Sequence, residues 1–262
     1  MLVTRLITAA IGIPLITGAV WVGDVLLAAV VAAAVSIATL EFAAARDALR
    51  RPTTALSALA AGVLPVAAFF GEEYLLGAIV GVIAVTGAAL TLTKDPGSDV
   101  SEWLWGIAAP LYLGGLASYF VLLRDVPDGR ELLFFTLLTV WVTDTGAYAV
   151  GRAIGRHKLA PTISPGKTIE GTLGSLVTGF AAVFALDAVI GLGFETVDLV
   201  ALGLFLPPII GLGDLAESAL KRALDVKDSS GLVPGHGGIA DRLDSLLFAA
   251  PAVYYYMKWI VL

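Results

Sequence analysis

Apolar runs long enough to cross a membrane as helices dominate the chain. A transmembrane helix needs about 20 mostly apolar residues, and we find about nine such segments, the first three short or rich in alanine. They cover residues 6–22, 25–40, 55–70, 74–93, 103–123, 132–150, 172–192, 199–220 and 243–260. The 58% share of hydrophobic residues agrees with a membrane protein. We therefore predict an all-α fold, a polytopic membrane helical bundle.

The sequence indicates one domain. It has no internal repeat, no low-complexity tail and no segment typical of a soluble domain, so we predict a single integral membrane domain over 1–262, with N-terminal helices in 1–130 and a catalytic part in about 131–262. Arg5 before the first apolar run imitates a secretory signal, but no convincing cleavage site follows, which favours a first membrane helix. The chain contains no cysteine, which excludes disulfides, thiolate metal sites and cysteine nucleophiles.

The distribution of basic residues predicts the orientation. With nine spans, the N-terminus lies on the same side as the loops that follow the second, fourth, sixth and eighth spans. Of the 16 Lys and Arg, 13 fall on that side, and the exceptions are Arg124, Arg130 and Lys258. The positive-inside rule makes that side cytoplasmic, and the longest polar loops, 151–171 and 221–242, both lie on it. We expect a multi-pass protein of the cell's inner (plasma) membrane with a cytoplasmic active site. The net charge of −6 describes the whole surface, and it coexists with a cationic cytoplasmic side that admits anionic ligands. We expect no nucleic acid as partner.

Acidic side chains recur at the cytoplasmic ends of the later helices. They are Asp144, Asp214, Glu217, Asp241 and Asp244. Ionisable groups in membrane segments are costly and face a polar interior or a partner. Asp214, Ser218 and Lys221 are spaced by four and three, so they share a helix face. Carboxylates on two helix ends joined by a glycine-rich loop suit a hard cation such as Mg²⁺; the alternative is that these acids only pair with Lys221, Arg222 and Arg242.

The glycine-rich loop is Pro234-Gly235-His236-Gly237-Gly238. Glycines let a ligand approach backbone N–H groups, and the helix predicted directly afterwards offers its positive end to an anion. His236 could donate a hydrogen bond to phosphate or act as acid or base. The alternative is a structural role for this histidine.

The other polar loop contains Gly166-Lys167-Thr168. A nucleoside-triphosphate P-loop is rejected, because the pattern requires glycine where Pro161 stands and no strand is expected before it. Lysine and hydroxyl groups beside a membrane still suit a phosphate ligand. The alternative is a cationic loop held by anionic lipid headgroups.

These motifs together resemble one enzyme family. The matching residues are Ser218, Lys221-Arg222, Lys227-Asp228, Pro234, His236-Gly237-Gly238-Ile239 and Asp241-Arg242-Leu243-Asp244. In this pattern the chain resembles the phosphatidate cytidylyltransferases, also called CDP-diacylglycerol synthases. The segment Asp144-Thr145-Gly146-Ala147-Tyr148 and the run from Ser164-Pro165 to Glu170-Gly171 look like the same family. The resemblance covers about 144–244, and Gly166 departs from it where many members carry a second lysine.

The resemblance implies transfer of CMP from CTP to phosphatidic acid in phospholipid biosynthesis, giving CDP-diacylglycerol and pyrophosphate. It implies CTP, phosphatidic acid and membrane lipids as partners, and a homodimer as the assembly. It implies Mg²⁺ as cofactor, and a second metal or a monovalent cation could share the site. Metal ligands would be Asp214 and Asp241, then Asp244 and Asp144. Asp214, Lys221, Asp241 and His236 would be catalytic. Substrate-binding residues would be Lys167, Ser164, Ser218, Arg222, Lys227, Gly237, Gly238 and Arg242.

Two alternatives remain open at this point. A related CTP-dependent enzyme could act on another lipid phosphate or on a polyprenol, since the motif does not define the lipid tail. A membrane transporter would also carry intramembrane carboxylates. Nothing in transport explains the Lys-Arg and His-Gly-Gly spacings, which favours the enzyme.

Overall fold

A computed structural model of the chain describes residues 2–46, 48–49, 52–92, 100–235 and 237–262. Within this part of the chain, long helices predominate and two short strands form the sheet structure. The predicted all-α membrane fold is therefore confirmed. These residues divide into two compact units, Met1–Asp125 with Asp228–Arg242, and Val126–Lys227 with Leu243–Leu262. The predicted division near residue 130 is close to the first boundary, whereas the single-domain prediction stays untested.

The first unit consists of the N-terminal helices and one loop. Its helices are α1 (Leu2–Val22), α2 (Asp24–Ala45), α3 (Pro52–Phe70), α4 (Glu72–Leu92), α5 (Val100–Pro110) and α6 (Leu116–Asp125). A π-helical segment, Leu111–Gly115, joins α5 to α6 directly after Pro110. Proline lacks an N–H and disturbs the hydrogen-bond ladder, which accounts for the interruption of the predicted fifth span at this point. We call Asp228–Arg242 the signature loop.

The second unit carries the remaining helices. They are α7 (Gly129–Ile154), α8 (Ile169–Ile190), α9 (Thr196–Ala223) and α10 (Ala240–Tyr256). The first three residues of α10 belong to the signature loop of the first unit, and a π-helical segment, Met257–Val261, follows α10. Strands β1 (Lys158–Ala160) and β2 (Ser164–Thr168) pair antiparallel between α7 and α8. The expectation that 151–171 is a loop without strands was therefore wrong in its centre, and Gly166-Lys167-Thr168 lies within β2.

Seven helical segments of the described chain are long and apolar enough to span a membrane. They are Asp24–Ala45, Thr53–Phe70, Glu72–Ala89, Trp103–Asp125, Gly129–Ile154, Ile169–Ile190 and Thr196–Ala223. Ala10–Val22 is a shorter apolar helix, and α10 has 17 residues before its π-helical continuation. Within the described residues, each of the nine predicted segments lies mainly on helical structure, and residue 93, at the end of the fourth, lies outside them. The chain is a multi-pass membrane protein.

Small residues bring α7 and α8 together. A Cβ on Gly146 would overlap the Thr178 side chain, and one on Gly174 would lie 2.6 Å from Val150 Cβ. In lipid, close approach of helix backbones supplies much of the packing energy, and glycine permits it. The α7–α8 contact holds Asp144 and the start of α8 in one place.

We expect Gly146→Ala to lower the stability of the protein by about 1–3 kcal/mol, because the methyl group overpacks the α7–α8 contact. The measurement is the thermal unfolding midpoint in detergent. Gly81→Ala on α4 is the matched control, since among the described residues no other part of the chain comes within 4 Å of a Cβ there and alanine is the better helix former. Equal midpoints for the two variants would contradict this account of the packing.

Candidate functional site

An ion pair between β2 and α9 lies at the centre of the candidate site in the second unit. Lys167 Nζ is 2.8 Å from Asp214 Oδ2, and the two side chains are 22% and 35% exposed. Ser218, one turn further along α9, has its Oγ 3.4 Å from Asp214 Oδ1. The antiparallel β1–β2 pair ends at Thr168, so it holds Lys167 two residues before α8 begins. Three residues predicted to bind metal or substrate are therefore neighbours.

One further acid, Asp144, faces this pair, and Asp244 lies near Asp144. Asp144 on α7 interacts electrostatically with Asp244 and Asp214, of like charge, and with Lys167. A Cβ on Gly213 would lie 2.8 Å from the Asp244 carbonyl oxygen, so glycine allows α9 and α10 to approach closely beside Asp214. The structure thus brings together Asp144, Asp214 and Asp244, which the sequence placed on three separate helices.

The chemistry of these acids fits a hard divalent cation. Carboxylate oxygens are the ligands that Mg²⁺ takes in proteins, and carboxylates gathered near one lysine are the donor type that suits such a cation. Among the described residues, however, no group of three acidic or histidine side chains converges into a ready coordination site. Lys167 already contacts Asp214, so bound metal would require this pair to rearrange.

The basic residues at the end of α9 contact protein groups. Lys221 Nζ lies 2.6 Å from Glu217 Oε2, and these side chains are only 13% and 2% exposed. Arg222 donates through Nε to the Ile163 carbonyl at 3.1 Å and through Nη1 to the Val226 carbonyl at 3.0 Å. Arg222 thereby ties the β1–β2 turn to the end of α9. The predicted catalytic and phosphate-binding roles of Lys221 and Arg222 stay predictions.

Glu170, in the first turn of α8, fastens the base of the strand pair. Its carboxylate accepts hydrogen bonds from the backbone N–H groups of Arg156 at 3.1 Å and His157 at 3.2 Å. The His157 ring nitrogen Nδ1 lies 2.6 Å from Glu170 Oε1, and Thr168 caps α8 by accepting from Gly171 N at 3.1 Å. These contacts hold β2, and Lys167 with it, against the start of α8.

Asp241 belongs to the first unit, where it organises the signature loop. Its Oδ2 accepts from Gly238 N at 2.8 Å, from Ser229 Oγ at 2.9 Å and from Ser229 N at 3.0 Å. Gly235 and Gly237 have φ of 80° and 83°, a region that glycine enters without strain. The backbone of the loop therefore folds around this carboxylate, and its predicted role as a metal ligand stays a prediction.

The remaining predicted residues occupy varied positions. Lys227 and Arg242 are exposed, Ser164 in β2 is partly buried, and Gly238 is buried. His236 lies outside the residues that the structure describes. Their contacts with substrate stay predictions.

The comparison with known proteins decides the family. The family model described as "Cytidylyltransferase family" matches residues 3–260. The chain belongs to the cytidylyltransferase family. It is 43% identical over 148 residues to a phosphatidate cytidylyltransferase of Bacillus subtilis (strain 168), covering 56% of this chain and 55% of that protein. It is 37% identical over 201 residues to a Staphylococcus epidermidis protein of the same name, covering 75% of each chain.

This cytidylyltransferase family member contains two polar residues whose role sequence reasoning missed. Glu217 was noted as an intramembrane acid, and its spacing of four from Lys221 could have indicated the buried pair. Glu41 is buried, and hydrogen bonds link it to the signature loop. It lies one residue beyond the predicted second span, 25–40, and nearly 200 residues from its partners, so no local pattern pointed to it.

Proposed function

We propose that this protein transfers CMP from CTP to phosphatidate, giving CDP-diacylglycerol and pyrophosphate. A phosphate oxygen of phosphatidate attacks the α-phosphorus of CTP. The new bond joins that oxygen to the α-phosphorus, and the bond from the α-phosphorus to the oxygen bridging the β-phosphorus breaks, so pyrophosphate leaves with the electron pair. The match of residues 3–260 to the cytidylyltransferase family is the observation that carries the proposal.

The arrangement around Lys167 suits this chemistry. Two polyanions must be brought together and charge must be neutralised on the leaving pyrophosphate, so positioned cations supply most of the catalysis. Lys167 is held by the strand pair beside Asp214, where release from the carboxylate would free its ammonium group for a phosphate oxygen. Lys221, Arg222, Lys227 and Arg242 are the further cations proposed to contact or orient the substrates, with Ser164 and Ser218 as hydroxyl donors.

Asp214, Asp144 and Asp244 are the carboxylates that would hold Mg²⁺, with Asp241 proposed as a further ligand. Mg²⁺ would supply Lewis-acid stabilisation of charge on the triphosphate. Like-charged Asp144 and Asp244 beside Asp214 support this assignment. The protein's own contribution is to orient these acids through α7, α9 and α10 and to present Lys167 between them and the substrate.

The membrane environment suits the lipid substrate. Phosphatidate keeps its two acyl chains in the leaflet and presents its phosphate at the interface, while CTP arrives from water. The bias of lysine and arginine supports a cytoplasmic site in the inner (plasma) membrane. A homodimer is the assembly that we propose for the enzyme.

The experiment is incubation of the purified protein with cytidine-labelled CTP, phosphatidate and Mg²⁺. The expected product is a lipid-soluble cytidine compound formed together with pyrophosphate. Competition by polyprenol and other lipid phosphates tests the choice of lipid. Solute flux in sealed vesicles without CTP turnover would contradict the proposal and favour a transporter.

The proposed metal role of Asp241 has its own test. We expect Asp241→Asn to reduce turnover about 10-fold and to raise the Mg²⁺ concentration needed for half-maximal activity, because an amide binds a divalent cation more weakly than a carboxylate. The Asn oxygen can still accept from Gly238 N. Unchanged activity and Mg²⁺ dependence in the purified variant would contradict a metal role.

A further inference from the structure

Glu41 is a buried carboxylate whose hydrogen bonds reach the signature loop. It lies near the end of α2, is 5% exposed, and belongs to the same compact unit as the loop. Its Oε1 accepts from Ser230 Oγ at 2.6 Å and from Ile239 N at 2.9 Å. Its Oε2 accepts from Ala240 N at 3.0 Å and lies 3.3 Å from Ser229 Oγ. One side chain of a membrane helix thus contacts both ends of the loop.

These contacts place Glu41 at the start of α10. The first N–H groups of a helix have no partner inside the helix, and a carboxylate near them also meets the positive end of the helix dipole. Local side chains usually serve as caps, whereas here Glu41 of another helix accepts the N–H groups of Ile239 and Ala240. The beginning of α10, including Asp241, is therefore held from α2.

Glu41 and Asp241 share one network. Ser229 Oγ lies 2.9 Å from Asp241 Oδ2 and 3.3 Å from Glu41 Oε2, and a Cβ on Gly238 would overlap Ser229 and approach the Glu41 carboxylate to 2.6 Å. Buried networks of this kind hold one geometry when their members are satisfied. The glycine at 238 lets the loop close around both acids.

We propose that Glu41 is a positioning residue for the signature loop, fixing the backbone of Gly237, Gly238 and Asp241 for the nucleotide. The expected change in the KM for CTP rests on the proposed function, whereas the contact between Glu41 and the loop does not. The N-terminal helices then take part in building the nucleotide site, although the sequence motifs of the family lie almost entirely in the other half of the chain.

The test compares Glu41→Gln with wild type by hydrogen–deuterium exchange over residues 229–240 and by steady-state kinetics. Glutamine keeps one acceptor oxygen but turns an NH₂ group toward backbone N–H donors, so exchange in this segment should accelerate at least about 10-fold. The KM for CTP should rise by a similar factor while the KM for phosphatidate stays unchanged. Thr39→Val is the matched control, because buried Thr39 lies on the same helix and donates within it to Val35 O.

Ser230→Ala provides a second variant that leaves α2 intact; it removes one donor to Glu41 and also the acceptor of the Leu232 N–H. Exchange at Ile239 and Ala240, away from Leu232, and the KM for CTP should change in the same direction as in Glu41→Gln. Unchanged exchange over residues 229–240 in Glu41→Gln would show that Glu41 does not hold the loop. Equal acceleration in Thr39→Val would show that the faster exchange does not come from losing the Glu41 contacts. Faster exchange with an unchanged KM for CTP would overturn the positioning role. If the wild type shows no CTP turnover, the proposed function fails, while the exchange measurement still decides whether Glu41 holds the loop.

Discussion

Replacing Asp214 with asparagine is expected to reduce CTP turnover by at least about 100-fold, the scale of losing a preorganised electrostatic group. Asp214 pairs with Lys167 at 2.8 Å and interacts with Asp144 across the α7–α9 contact. The neutral amide would weaken cation binding and remove the charge that holds Lys167 in place. We expect kcat to fall and the Mg²⁺ concentration at half-maximal activity to rise.

Asp187→Asn is the matched control for this variant. Asp187 lies on α8 in the same unit, and its Oδ1 accepts from Phe194 N at 3.2 Å, a bond that the asparagine oxygen can retain. Its turnover should stay within about twofold of wild type, because no site contact is lost. An Asp214→Asn protein with wild-type turnover and Mg²⁺ dependence would remove Asp214 from the site.

The buried pair of Glu217 and Lys221 gives the second large effect. Glu217→Gln removes the charge of the carboxylate that lies 2.6 Å from Lys221 Nζ, and breaking a buried pair on one side costs about 3–5 kcal/mol. We expect a lower thermal unfolding midpoint. Lys221→Met should likewise destabilise the protein and should reduce turnover at least about 100-fold, because it also removes a proposed catalytic cation.

The double variant separates structure from catalysis. Glu217→Gln combined with Lys221→Met removes both charges, so the unfolding midpoint should recover toward wild type. Turnover should stay as low as in Lys221→Met alone. A double variant no more stable than either single variant would contradict the buried pair, and wild-type turnover in Lys221→Met would contradict the catalytic role.

The helices could be predicted from the sequence because the membrane imposes one rule. Backbone groups in lipid must be satisfied within the helix, so each long apolar run predicts a span, and helical structure follows all nine runs. The strands β1 and β2 were not predicted because they have only three and five residues. Exposed and buried side chains do not alternate regularly along them, so the usual pattern of a strand is missing. Their pairing depends on contacts such as that of Arg222 with Ile163 O, which no local pattern reveals.

Part of the candidate site could be predicted, because acids near the ends of predicted membrane helices should lie at a similar depth. Asp144, Asp214 and Asp244 were expected at one depth, and in the structure Asp144 interacts electrostatically with each of the other two. The partner of Lys167 was not foreseen, since Lys167 contacts Asp214 from β2, a strand that the sequence did not predict. Glu41 was missed because its partners lie in a loop nearly 200 residues away, and only the folded chain brings them together.

The central claim is that Asp214, with its acidic neighbours, binds the divalent cation that accompanies the nucleotide. Electron paramagnetic resonance of Mn²⁺, used in place of Mg²⁺, measures this directly on purified full-length protein with a CTP analogue that resists cleavage at the α-phosphorus. Wild type and Asp187→Asn should bind Mn²⁺ alike, and Asp214→Asn at least about 10-fold more weakly. Equal Mn²⁺ affinity in Asp214→Asn and wild type would contradict the claim.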